Sequence, residues 1–284
     1  MASPNDDFVD LPWYYEVEVA GKKPTTVSPI SGERHKARIA LVRSLLEELF
    51  DGTLTQKRVL DLGCNAGVFG LECLSAGVSS YTGVDSSQRA IAQAMYLFQD
   101  RNIAKERYQF VTSDIFEFLH NAFREQWDVV LALGIVHHLP WYRFFEFFDG
   151  VNALCTDILI LDLVLASTSV APAFQLYTRQ TPHSQNPDGK VVIHPTKSAL
   201  ATLMGRLGFD VAVIKPCFPR TGAFADYHRG NRRFVVGCKK TRLDTIAALR
   251  DDVCDIRLDG VPFRALISAC FRKIWKRMCA PISR

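Results

Sequence analysis

The sequence predicts an α/β fold: a mostly parallel, seven-stranded sheet flanked by helices. Three observations predict it. Apolar runs and amphipathic stretches alternate from residue 35 onward. The apolar runs are continuous, as in strands buried on both faces. The first run breaks into a glycine-bearing turn that opens a helix, the usual start of a doubly wound sheet.

Each element follows from its pattern. Residues 35–51 (HKARIALVRSLLEELFD) carry apolar positions at helical spacing and stop at Gly52. RVLDLGC is strand one with its turn, 67–76 a helix, 81–85 strand two, and 87–100 a second helix. Strand three is expected over 108–114, with a helix at 115–123. Strand four is 127–134, followed by an aromatic-rich helix at 141–154 and strand five at 157–165. The rhythm stops at 166–195, a polar stretch with prolines that is long for a loop and is read as a substrate lid. A helix at 196–207 and strands at 209–215 and 233–239, joined by a hairpin-like connection, complete the sheet. Three segments result: an N-terminal cap (1–34), the main domain (35–240) and a C-terminal helical extension (241–284).

Composition excludes several classes. A charged fraction of 23% and a hydrophobic fraction of 48% are ordinary for a folded chain. A formal charge of +4 is too mild to indicate nucleic acid by itself. Residues 1–10 lack the apolar core of a signal peptide, and the longest apolar run, 158–166, is short and carries Asp162. Eight cysteines without an export signal read as reduced thiols in a cytoplasmic protein. No CxxC occurs and the spacings do not suggest zinc, so no metal is expected.

The chemistry is concentrated in VLDLGCNAGVFG, residues 59–70. Gly63 and Gly67 let backbone pass close to a ligand. Asn65 stands where a dinucleotide turn would have a further glycine, which disfavours a dehydrogenase. Acids then recur at successive strand ends: Asp61, Asp85 and Asp114. This series fits S-adenosylmethionine (SAM), which has no phosphate to cradle. Asp61 would face its amino group, with Cys64 in the same turn. Asp85 and Ser86 would meet the ribose hydroxyls. Asp114 and the Ile115 amide would meet the adenine, and Leu133 would lie at the end of strand four. Taken singly, Asp61 and Asp114 also read as helix N-caps.

On these motifs residues 35–240 resemble the class I SAM-dependent methyltransferases, which have a Rossmann-like fold. DLGCNAG, together with Trp13-Tyr14, is similar to the group related to tRNA wobble-uridine carboxymethyl- and methyltransferases. That group carries a Tyr-His pair after strand four. Here the stretch is GIVHHLP, so His137 replaces the tyrosine and His138 keeps the histidine. The resemblance implies SAM as cofactor, S-adenosylhomocysteine (SAH) as product, and an N-terminal segment with Trp13, Tyr14, Tyr15, Arg34 and His35 folded over the pocket.

Transfer to an oxygen or nitrogen needs a proton removed, a task suited to histidine near neutral pH. His138 is the expected base, with His137 as alternative. Trp13, Tyr14, His194 and His228 are candidate acceptor contacts, and His183 is a further rival. The aromatic run at 141–148 reads as core or as a substrate wall. In the tail, residues 263–278 form an amphipathic basic pattern, open to packing on the chain or a homodimer partner, to an anionic membrane surface, or to RNA phosphates. The leading expectation is a small-molecule O- or N-methyltransferase of a biosynthetic pathway. RNA modification comes second and a non-catalytic SAM-binding scaffold third.

Overall fold

The computed structural model describes residues 11–26, 31–166, 171–178, 191–240, 243 and 254–258. His183 and the tail pattern at 263–278 lie outside these residues, as does much of the expected lid.

Helix α1 (Ser31–Leu49) buries Val42, Leu45, Leu46 and Leu49, one stripe at helical spacing. It ends where the Gly52 amide reaches back to the Glu47 carbonyl at 2.9 Å with φ +71°. Strand β1 (Arg58–Leu62) leads into α2 (Val68–Ser75), β2 (Ser80–Asp85) and α3 (Gln88–Asp100), the last capped by the Ser87 hydroxyl. Then come β3 (Tyr108–Thr112), α4 (Ile115–Asn121), β4 (Trp127–Leu133), α5 (Phe144–Leu154) and β5 (Cys155–Val164). These five strands are parallel, in the order β5-β4-β1-β2-β3.

The expected lid contains an antiparallel hairpin, β6 (Phe174–Thr178) with β7 (Val191–Pro195). Helix α6 (Lys197–Arg206) precedes β8 (Asp210–Ile214), and β9 (Arg232–Cys238) inserts antiparallel between β8 and β5. The β8–β9 connection, expected to be hairpin-like, instead holds a short turn of helix and α7 (Ala225–Arg229).

The seven expected strands are all present, and β10 (Cys254–Leu258) adds an eighth by pairing antiparallel with β8. The extension is therefore not wholly helical; its strand covers an edge of β8 that would otherwise be open. The aromatic helix starts at Phe144, after a 3-10 turn at Trp141–Arg143.

Strand parity decides what each face carries. In β1, β4 and β5, Val59, Val129, Leu131, Ile158 and Ile160 pack toward α1, α2 and α3. Leu60, Val130, Leu159 and Leu161 pack toward α4, α5 and α6. By the same alternation Asp61 and Asp162 project to the α1 side, at the carboxyl edge.

Candidate active site

The turn after β1 is built by left-handed backbone: Gly63, Asn65 and Gly67 have φ of +77°, +50° and +70°. A side chain at Gly63 would be strained by φ +77°, and its Cβ would also crowd Ile135 of the loop after β4 at 3.1 Å. Asn65 tolerates its φ because its Oδ1 accepts the Ala66 amide at 2.8 Å. The Gly63 and Cys64 amides both donate to the Val84 carbonyl, at 2.8 and 3.0 Å, tying the turn to β2. Cys64 is buried beneath it, and burial pushes its thiol well up.

Asp85 ends β2 and accepts the Asn65 amide on one oxygen and the Ser87 amide on the other, both at 2.9 Å. The carboxylate is thereby fixed in direction, half-buried beside Ser86, and its pKa is raised by burial. Asp61 is 1% exposed and accepts one hydrogen bond, from the Tyr81 hydroxyl at 2.8 Å. Burial pushes its carboxyl up to about 7, against the Tyr81 bond and the Arg38 charge, with Asp85 adding to the rise. Of the two possible N-caps, Asp114 is one: its Oδ1 accepts the Phe116 and Glu117 amides at 2.9 and 3.3 Å, two residues beyond the end of β3. Ile115 is buried as the first residue of α4.

These residues fit SAM. Asp61 is a buried carboxyl that makes no ion pair among the described residues, as an ammonium ligand requires. Asp85 is oriented by amides, and its capacity for further donors suits a pair of hydroxyls. Asp114 keeps Oδ2 beyond its cap bonds.

Leu133 ends β4, and its carbonyl accepts Arg38 Nη2 at 3.2 Å. The loop that follows is GIVHHLP, wound into a 3-10 turn at Val136–His138. His137 is buried and His138 half-buried, their rings 4.2 Å apart. β7 packs against this turn, bringing His194, whose ring lies tilted against Tyr177 at 4.3 Å, to the same region. The aromatic run divides: Phe144, Phe147 and Phe148 are core, whereas Trp141, Tyr142 and Phe145 are exposed, Phe145 meeting Phe174 of the hairpin at 5.3 Å.

The N-terminal segment packs beside the turn. Tyr14 and Tyr15 lie 4.9 and 4.5 Å from His35, and Tyr15 meets Phe69 of α2. Trp13 is fully buried in the core, so its indole packs and does not line a pocket. His228 is exposed on α7, with its Nε2 2.9 Å from the Pro219 carbonyl. The structure does not group it with His137 and His138.

Sequence reasoning missed an ion cluster at the end of β5. Asp162 is fully buried and reaches Arg38 and Arg232, each at 2.7 Å, and the Tyr227 hydroxyl at 2.8 Å. Burial opposes its ionisation, but the two arginines and the Tyr227 bond hold its carboxyl down at about 2. The signal was present: Asp162 is a charge inside the apolar run DILILDLVL, and a buried charge requires a partner.

Comparison with known proteins agrees with this architecture. Residues 60–157 match a family model described as a methyltransferase domain. A ubiquinone biosynthesis O-methyltransferase of Aromatoleum aromaticum is 31% identical over 88 residues, 31% of this chain and 35% of that protein. A ribosomal RNA large subunit methyltransferase I of Photobacterium profundum is 37% identical over 78 residues, 26% of this chain and 19% of that one. The chain thus spans about a third or less of these curated relatives. Among solved structures, the N-terminal domain of EvdMO1, crystallised with SAH and D-fucose, superposes with a TM-score of 0.60 at 18% identity, over 84% of this chain and 94% of that one. Magnesium protoporphyrin IX methyltransferase from Synechocystis with bound SAM gives 0.53 at 17%, over 75% and 85%. The chain has the Rossmann-like α/β fold of the class I SAM-dependent methyltransferases, with a methyltransferase-domain sequence running from the middle of β1 into β5.

Proposed function

We propose that the protein is a SAM-dependent methyltransferase acting on an oxygen or nitrogen of a small-molecule acceptor. The observation that carries the reading is the carboxyl edge itself. A left-handed turn, a buried Asp61, an amide-held Asp85 and a histidine loop after β4 follow one another along adjacent strands. The bound cofactor supplies an electrophilic methyl group on a sulfonium. The chain's own residues do the rest. Asp61 holds the amino group and Asp85 the ribose, on either side of the sulfonium, which is an entropic contribution to alignment. His138, half-buried on the loop, takes the acceptor proton, while His137 beneath it sets the ring in place. Tyr14 and Tyr15 cover the turn and limit water.

The small-molecule reading is supported by the named chemistry of two relatives, a ubiquinone-pathway O-methyltransferase and a magnesium protoporphyrin IX methyltransferase. An RNA acceptor is favoured by one relative, the ribosomal RNA enzyme. The wobble-uridine likeness of DLGCNAG bears on cofactor and reaction, since His137 departs from that group at the loop nearest the acceptor.

Calorimetric titration with SAM and SAH, repeated on Asp85→Ala, tests the cofactor. Wild type should bind both, and the variant should lose about tenfold or more, the worth of hydrogen bonds to a charged group. Folded wild-type protein that binds neither would sink the reading.

A further inference from the structure

Five ionised groups meet where α1, β5, β9 and α7 converge. Arg34 pairs with Asp226 at 2.6 Å, while Arg232 spans both oxygens of Asp162 and Arg38 shares Oδ2 with it. Among these five described side chains three cations face two anions, so the Arg38 and Arg232 guanidinium groups share one carboxylate. Burying an ion costs several kcal/mol even after relaxation, and an unpaired one has nothing to offset that cost. The same field acts on His35, which burial and then Arg38, Arg34 and Arg232 hold neutral down to about pH 3.

The excess charge has a definite outlet. Arg38 is 3% exposed and spends its nitrogens on Asp162, the Leu133 carbonyl and His35. Arg232 binds Asp162 through Nε at 2.7 Å and Nη2 at 3.0 Å, and among the described residues its hydrogen bonds all go to that carboxylate. Its Nη1 makes no hydrogen bond among the described residues, and the side chain keeps 12% exposure. Nη2 lies 3.1 Å from where a Cβ on Gly134 would stand, so the guanidinium sits over the first residue of the GIVHHLP loop. Gly134, at φ +91°, leaves that approach open.

Position in the sheet separates this group from the cofactor. β9 lies three strands from β1, about 14 Å at the usual strand spacing. Arg38, not Arg232, is the guanidinium that acts on the Asp61 carboxyl. A ligand held over β1 and β2 therefore has Arg232 on its far side, beyond the histidine loop, where an acceptor would enter.

We propose that Arg232 is an acceptor-binding residue whose free guanidinium edge takes a carboxylate of the methyl acceptor beside Gly134 and the histidine loop. This rests on the methyltransferase reading above. A guanidinium recognises a carboxylate through paired N–H donors, which a lysine ammonium cannot reproduce. The substrate class is thus an organic acid with a hydroxyl or amine to be methylated.

The test uses benzoate and its neutral isostere benzamide, titrated into the full-length protein with and without SAH. Wild type should bind benzoate at least about tenfold more tightly than benzamide. Arg232→Lys, and Arg232→Gln beside it, should weaken benzoate about tenfold while leaving benzamide and SAH unchanged. Equal binding of the two probes by wild type, or benzoate affinity untouched in a folded variant, overturns the proposal. So does a variant that loses SAH but keeps methylthioadenosine, since the carboxylate served would then be the cofactor's. Melting curves report whether the variants fold; if neither does, the wild-type ratio decides. Failure to bind SAH would count against the methyltransferase reading alone, because the benzoate comparison in free protein still judges Arg232.

Discussion

Asp61 shows how a single buried group can make ligand affinity depend on pH. Its carboxyl titrates near 7 in the free protein, raised from an ordinary 3.8 by burial. A raised acid favours the fold most while protonated, so its contribution is full below 3.8 and is lost as pH climbs through 7. A cationic ligand reverses the preference, because an ammonium beside Asp61 stabilises the ionised form. Binding below pH 7 must therefore release a proton. SAH affinity should rise by up to about tenfold per pH unit between 6 and 7 and flatten above. Calorimetry in two buffers of different ionisation enthalpy measures the released proton, and Asp61→Asn should bind weakly with no such slope. At the same scale, His138→Ala should lower turnover by about a hundredfold or more with SAH affinity unchanged, the ordinary worth of a general base. Equal turnover would move the role to His137.

At the scale of elements, α2 and β2 are locked by one missing side chain. A Cβ on Gly70 would stand 2.4 Å from the ring of Tyr81, which is itself 1% exposed and cannot swing aside. Alanine favours a helix over glycine by about 1 kcal/mol, but overpacking a core costs about 1–3 kcal/mol. The second effect wins, and since Tyr81 also holds Asp61, Gly70→Ala should lower both stability and SAH affinity. Ser87→Ala, which removes the cap of α3, should cost about 1 kcal/mol in denaturant unfolding. Much of this layer was legible in advance. β4 and β5 are long apolar runs, β1 and β2 are short ones that end at Leu62 and Asp85, and α1 and α3 are periodic, so pattern finds them. β6 was hidden because FQLYT is largely exposed and imposes no alternation of burial. β10 was hidden because CDIRL becomes a strand only beside β8, forty or more residues earlier. Asp61, Asp85 and Gly67 were legible because their contacts are local to one βαβ unit. Arg38, Asp162 and Arg232 were not, because three separate segments must fold before they meet.

Those three residues join α1, β5 and β9 into one body, so the molecule as a whole depends on them. Asp162→Asn would leave two buried guanidinium groups without their anion, a loss of about 3–5 kcal/mol in unfolding free energy. The wild-type carboxyl, held at about 2 against an ordinary 3.8, contributes stability that is present above 3.8 and lost as pH falls toward 2. The acid limb of the unfolding curve should accordingly be shallower in the variant, as thermal melts between pH 2 and 5 would show. Arg232 also follows Asp162 by 70 positions, which carries a consequence for synthesis. At about 5–20 residues per second, the nascent chain waits roughly 4–14 s between the two. Throughout that interval Arg38 and Asp162 balance one another, and the apolar β5 is a bare edge open to pairing with any neighbouring chain. The arrival of β9 closes that edge and installs the anion-seeking group in the same event, leaving only the outer edge of β8 for β10 to cover among the described strands.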